Sequence, residues 1–161
     1  MPKATPATPK PYAWGTTVPA ENSKAQIEQL LDAHGATEFA VYRSAKVTLV
    51  IYRLRGFMVR HKVPLPLKAE LPPARRKRTK QEIESLLAGE NRRRWRALLL
   101  IIKGRLEIAV GGDDNAYMAQ FLSDTLLPDG QTVAESFMPK LWLSYNDGHM
   151  PDVTKLLKPG S

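Results

Sequence analysis

Cysteine is absent from the 161-residue chain. Disulfide frameworks, Cys-ligated zinc, iron–sulfur clusters and thiol catalysis are excluded with it. Histidine is scarce: the three residues His34, His61 and His149 are too few for a His-rich metal site. The longest apolar run, Ala97–Ile102, has six residues, against the roughly 20 that a membrane-spanning helix needs. The opening Met-Pro-Lys-Ala-Thr contains no apolar signal core. No phosphate-loop signature is present, because neither GK[ST] nor GxGxxG accompanies Gly111-Gly112. The expectation is a soluble, cytoplasmic protein that binds no metal and no cofactor. No residue pattern identifies a reaction, so a non-enzymatic role is expected.

What is present is a strongly uneven charge. The chain carries 24 Lys plus Arg against 16 Asp plus Glu, a net charge of +8. Residues 1–42 are net −1, residues 43–106 net +14 and residues 107–161 net −5. A middle third of that charge repels itself unless something compensates it, and the commonest compensating partner is a polyanion. A hydrophobic share of 43% is enough for a packed core.

Apolar spacing gives the order of elements. Residues 1–11 are a Pro-rich stretch expected to be a tail, 12–157 a single α+β domain with a basic linker at 67–79, and 158–161 a second tail. Ser23 and Gln26 fit a capping box, followed by Ile27, Leu30 and Leu31, which predicts a helix over 24–34. Phe39 and Val41, then Val47 to Tyr52, then Phe57 to Val63 alternate as three strands. Their short connections imply an antiparallel meander that Pro64 ends. Thr79 with Glu82 caps a helix that either breaks at Gly89 or runs on. Trp95, Leu98, Leu99, Ile102, Leu106 and Ala109 form an apolar stripe over 91–110. Asp113-Asp114 opens a third helix, and Thr132 with Glu135 caps a fourth, which contains Pro139. The order is α-βββ-α-α-α, a small three-stranded antiparallel sheet covered by helices. The α-βββ-α part also occurs in double-stranded-RNA-binding domains, but the strand loops do not follow that family.

Several stretches resemble small uncharacterised proteins of tailed-phage and prophage genomes. They are Gly15-Thr16-Thr17-Val18-Pro19 with Ser23 and Ile27–Leu31, Arg94–Lys103, Leu127–Glu135 and Met150-Pro151. The resemblance covers most of the chain from about Tyr12. It implies a phage or prophage origin and no chemistry.

The chemistry-bearing candidates are the bases. Three clusters lie in the cationic segment: Arg53, Arg55, Arg60 and Lys62 on the strands; Arg75, Arg76, Lys77, Arg78 and Lys80 in the linker; and Arg92, Arg93, Arg94 and Arg96 on the long helix. Such groups can track phosphates and release counterions without reading sequence, and Tyr42 and Tyr52 could stack bases if their face is open. DNA or RNA is therefore the expected partner. A host or phage protein that processes nucleic acid is the alternative partner, and a homo-oligomer is also open. The opposing reading is a solvated linker, a wet helix face and tyrosines in the core. Asp113-Asp114, the only acidic pair, could belong to a metal-dependent nuclease, though N-capping explains it. His61, on an apolar strand face, reads as a satisfied core or edge residue. Trp95, Phe137, Met138, Trp142 and Tyr145 read as core by their helical spacing. Were some of them exposed, they would anchor a partner or a homodimer.

Overall fold

The computed structural model describes residues 10–148. The readings that fall on 1–9 and 149–161, among them most of the N-terminal tail, His149 and the C-terminal tail, lie outside the described residues. The elements are α1 (Ala20–Ala33), β1 (Ala36–Arg43), β2 (Val47–Leu54), β3 (Phe57–Pro64), α2 (Lys80–Ala109), α3 (Asp114–Phe121) and α4 (Val133–Asn146). This is the α-βββ-α-α-α order that the sequence predicts.

The strands pair as an antiparallel meander in the order β1-β2-β3. Ser44 turns the chain between β1 and β2, its hydroxyl accepting from the Val47 amide at 3.2 Å. Arg55 and Gly56 turn it between β2 and β3, both at positive φ (50° and 91°), as a two-residue hairpin with right-handed strand twist requires. β1 is bulged: Thr37 faces Arg53 and Ala40 faces Ile51, so Glu38 and Phe39 together oppose Tyr52.

Alternation divides the sheet cleanly. Thr48, Val50, Tyr52, Leu54, Phe57, Val59, His61 and Val63 point inward and are buried. Val47, Leu49, Ile51, Met58 and Arg60 point outward and are half-buried. α1, α2 and α3 pack on the inner face. Ile27 and Leu31 of α1, Trp95, Leu98, Ile102 and Leu106 of α2, and Tyr117 and Phe121 of α3 complete one core with the inward strand residues. Burying each of the larger apolar side chains contributes about 1.5–3 kcal/mol.

Two helix boundaries differ from the sequence reading. α1 begins at Ala20, with Pro19 in the N-cap position and no side-chain cap. Proline's fixed φ is already that of a helix start, so Ser23 lies inside the first turns and is buried. α2 does not break at Gly89. It runs unbroken for 30 residues, started by the Thr79–Glu82 capping box. Its buried residues begin at Trp95; the first half is tied to the linker by the Arg76–Glu82 and Arg94–Glu70 pairs. No described helix is long and apolar enough to cross a membrane.

Candidate nucleic-acid interface

The strand bases are met by acids from elsewhere in the chain. Glu38, on the β1 bulge, lies 3.1 Å from Arg53. Asp114, in the first turn of α3, lies 3.7 Å from Arg55, whose guanidinium also stacks 4.7 Å over the Tyr117 ring. Glu135, in the first turn of α4, pairs with both Arg60 and Lys62. Arg60 also donates to the Gly130 carbonyl at 2.9 Å. These pairs draw on the net-acidic flanking segments, so much of the charge asymmetry along the sequence is compensated inside the fold.

The α2 bases are held likewise. Arg93 and Arg94 share Glu90 at 2.7 and 3.0 Å. Arg94 reaches further, to Glu70 at 2.7 Å and to the Pro64 carbonyl at 2.8 Å, which ties the linker to the helix. Arg92 donates to the Thr16 carbonyl at 3.1 Å and Arg96 to the Gln26 side chain at 2.9 Å. Both therefore brace the N-terminal segment and α1. The carboxyls answer in kind: hydrogen bonds from Arg93 and Arg94 hold Glu90 below the usual carboxylate range. Glu135 is held down to about 2, chiefly by the hydrogen bond from Lys62 and then by the Thr132 amide.

The linker differs. Arg76 forks onto Glu82, and Lys80 lies 3.8 Å from Glu84. Arg75, Lys77 and Arg78 have no carboxylate partner among the described residues, and Arg75 and Lys77 are exposed. Arg76 and Arg78 line a shallow cleft of about 400 Å³ with Glu82 and Ser85.

The three basic clusters do not gather at one place. Arg55 lies in the hairpin at one end of β3. Pro64, beside Arg94, lies at the other, about 25 Å away at strand rise. Lys80 is 14 residues further along α2, about 21 Å at helical rise.

Tyr52 is corrected. It lies on the inward face and is fully buried, so no base can stack on it. Its hydroxyl lies 2.8 Å from His61 Nε2, and His61 Nδ1 lies 3.6 Å from Asp124, which also pairs with Arg105. A carboxylate can only accept, so its position favours the tautomer with the proton on Nδ1, in which Nε2 accepts from Tyr52. Burial would raise the Asp124 carboxyl, but hydrogen bonds from His61 and Arg105 override it and hold the group well below its usual range. The His61 network lines neither described cleft. Tyr42 stands on the outer face of the edge strand and is 62% exposed.

Asp113 caps α3, accepting from the Ala116 amide at 3.0 Å, and Asp114 answers Arg55. Among the described residues no three His, Asp or Glu side chains gather to hold a metal ion.

Sequence reasoning missed one feature and favoured the wrong side of another. The larger cleft, about 470 Å³, is formed by Pro11, Trp14, the Pro66–Pro72 stretch and the first half of α2. The second is α4. Trp95 is core, as its spacing predicts, but Phe137, Met138, Trp142 and Tyr145 are exposed, and α4 buries no residue at all. No protein-family model, curated protein or solved structure matches the chain.

Proposed function

We propose that the protein is a non-enzymatic nucleic-acid binder that meets the phosphate backbone through its linker, residues 75–80, with little sequence preference. This reading fits the phage or prophage setting that the sequence resembles. The observation that carries it is that Arg75, Lys77 and Arg78 have no carboxylate partner among the described residues, on a strap fixed at both ends. Glu70 and Arg94 hold one end; the Thr79–Glu82 capping box and the Arg76 fork hold the other. A held strap presents its cations with less ordering cost than a loose tail.

Three phosphate contacts give a slope of about −2.7 in log affinity against log salt on duplex DNA. Affinity then falls about 40-fold between 50 and 200 mM salt. The test is fluorescence polarisation with labelled single- and double-stranded DNA and RNA across that range. The Arg75→Ala/Lys77→Ala/Arg78→Ala variant loses binding, while Arg53→Ala, whose partner is Glu38, keeps it. No affinity of the unaltered chain at about 50 mM salt for any of these probes overturns the reading.

A further inference from the structure

α4 is a 14-residue helix whose main contact is with the 3-10 turn Leu122–Asp124 at its base. At 100° per residue, Phe137, Leu141, Tyr145, Met138 and Trp142 fall within an arc of about 140°. A stripe of that width is what a helix buries against a second layer. Among the described residues nothing covers it: Phe137 is 52% and Trp142 61% exposed.

The stripe has a fixed position relative to the sheet. Glu135 projects about 20° beyond Trp142 on the same wheel, and it reaches Arg60 and Lys62, both on the outer face of β3. The stripe therefore begins beside the outer face of the sheet. Among the described residues no helix covers that face, though its strand residues are half-buried by their neighbours. Tyr42, Leu49 and Ile51 are its apolar centre, with Val47 and Met58 at its margins. The cations next to it, Arg60 and Lys62, share the Glu135 carboxylate, which leaves one net positive charge at the margin of the surface. Interface cores are depleted of charge in this way. With Arg60 and Lys62 engaged by Glu135, the surface offers a phosphate chain little to bind. A membrane-surface helix would need a basic polar face, and α4 has a single cation, Lys140.

Each chain thus offers one bare helix stripe and one bare sheet face, which are complementary to each other. We propose that the protein forms a twofold-symmetric homodimer in which α4 of each copy lies on the outer sheet face of the other, over Tyr42, Leu49 and Ile51. Two-fold symmetry uses both surfaces twice and leaves none open. The area is sufficient. Five half-exposed large side chains present about 500 Å². The sheet gives less, since Tyr42 is exposed but Leu49 and Ile51 are half-buried; with two seats the dimer buries about 1,600 Å², the standard size for stable interfaces.

The experiment is sedimentation velocity on the full chain after nuclease treatment, from about 1 to 100 µM in about 0.5 M salt, where phosphate-bridged association is suppressed. The expected species has twice the 18.0 kDa chain mass. Leu141→Asp on the helix and Tyr42→Asp on the sheet each weaken the dimer by more than about 30-fold. Both side chains are exposed, so the thermal melt of the folded core is retained. A monomer at 100 µM overturns the proposal, whether the stripe is then covered by residues 149–161 or awaits a different protein. A dimer sensitive to Leu141→Asp and indifferent to Tyr42→Asp also overturns it, because the helices would then be pairing with each other.

Discussion

Tyr52 and His61 are diagonal neighbours on β2 and β3, and the phenol oxygen lies 2.8 Å from the imidazole Nε2 inside the core. Phe121 of α3 stacks edge-on against both rings. Burial first, and then the Asp124 carboxylate, push the Tyr52 phenol far above its ordinary range. The phenol therefore keeps its proton, and towards an unprotonated Nε2 the hydroxyl is the donor. Its role is to satisfy a buried nitrogen that water cannot reach.

Tyr52→Phe removes that donor and keeps the ring. A buried acceptor left without a partner costs about 1–3 kcal/mol, which for a chain of this size lowers Tm by several degrees. Calorimetry at pH 7 measures it. A Tm equal to that of the unaltered chain would show that the pair contributes nothing.

Glu135 gives the fold an acid-sensitive fastening. Its carboxyl titrates at about 2 in the folded chain against an ordinary 4.5, and Asp124 is held down in the same sense. A depressed folded value means that the unfolded chain takes up the proton first. The stabilisation is complete above the unfolded value and drains away as pH falls from 4.5 towards 2. The urea midpoint of Glu135→Gln should lie below that of the unaltered chain at pH 7 and approach it by pH 3. A gap of the same size at both pH values would rule out the ion pair as its source.

The same substitution separates structural from binding cations. With Glu135 neutral, Arg60 and Lys62 lose their carboxylate partner on the outer face of β3. Two released cations add up to about 2 to the magnitude of the salt slope for nucleic acid. The polarisation titration of Glu135→Gln should therefore be steeper, and tighter at low salt. An unchanged slope would mean that these side chains face away from any bound strand.

The inward strand residues and the Thr79 and Thr132 caps were legible because they depend on neighbours two to four positions apart. The α2 stripe was legible for the same reason. Ser23 misled because Ser-x-x-Gln is a cap only where the chain has not already turned, and Pro19 had turned it. The partner of Arg60 is 75 residues away, so the sequence shows the cation and hides its neutralisation. Phe137 and Trp142 carry the spacing of core residues. Periodicity shows that a helix has an apolar side, and it leaves open which chain covers that side.

Glycine in helices gives a last contrast. Gly104 lies within α2, and a Cβ there would meet nothing within 4 Å. Gly104→Ala removes unfolded-state freedom without strain and should stabilise by about 0.5–1 kcal/mol. Gly112 lies at the entry to α3, where a Cβ would stand 2.5 Å from the Ala116 Cβ and 3.1 Å from the Ala109 carbonyl oxygen. Gly112→Ala must push α3 from the end of α2, opening the contact that seats Tyr117 and Phe121 in the core, and should destabilise. If the Ala116 methyl is the obstacle, Gly112→Ala/Ala116→Gly recovers more than the sum of the single changes allows, a coupling that chemical denaturation resolves at about 0.5 kcal/mol. Strict additivity of the two would place the strain at the Ala109 carbonyl instead.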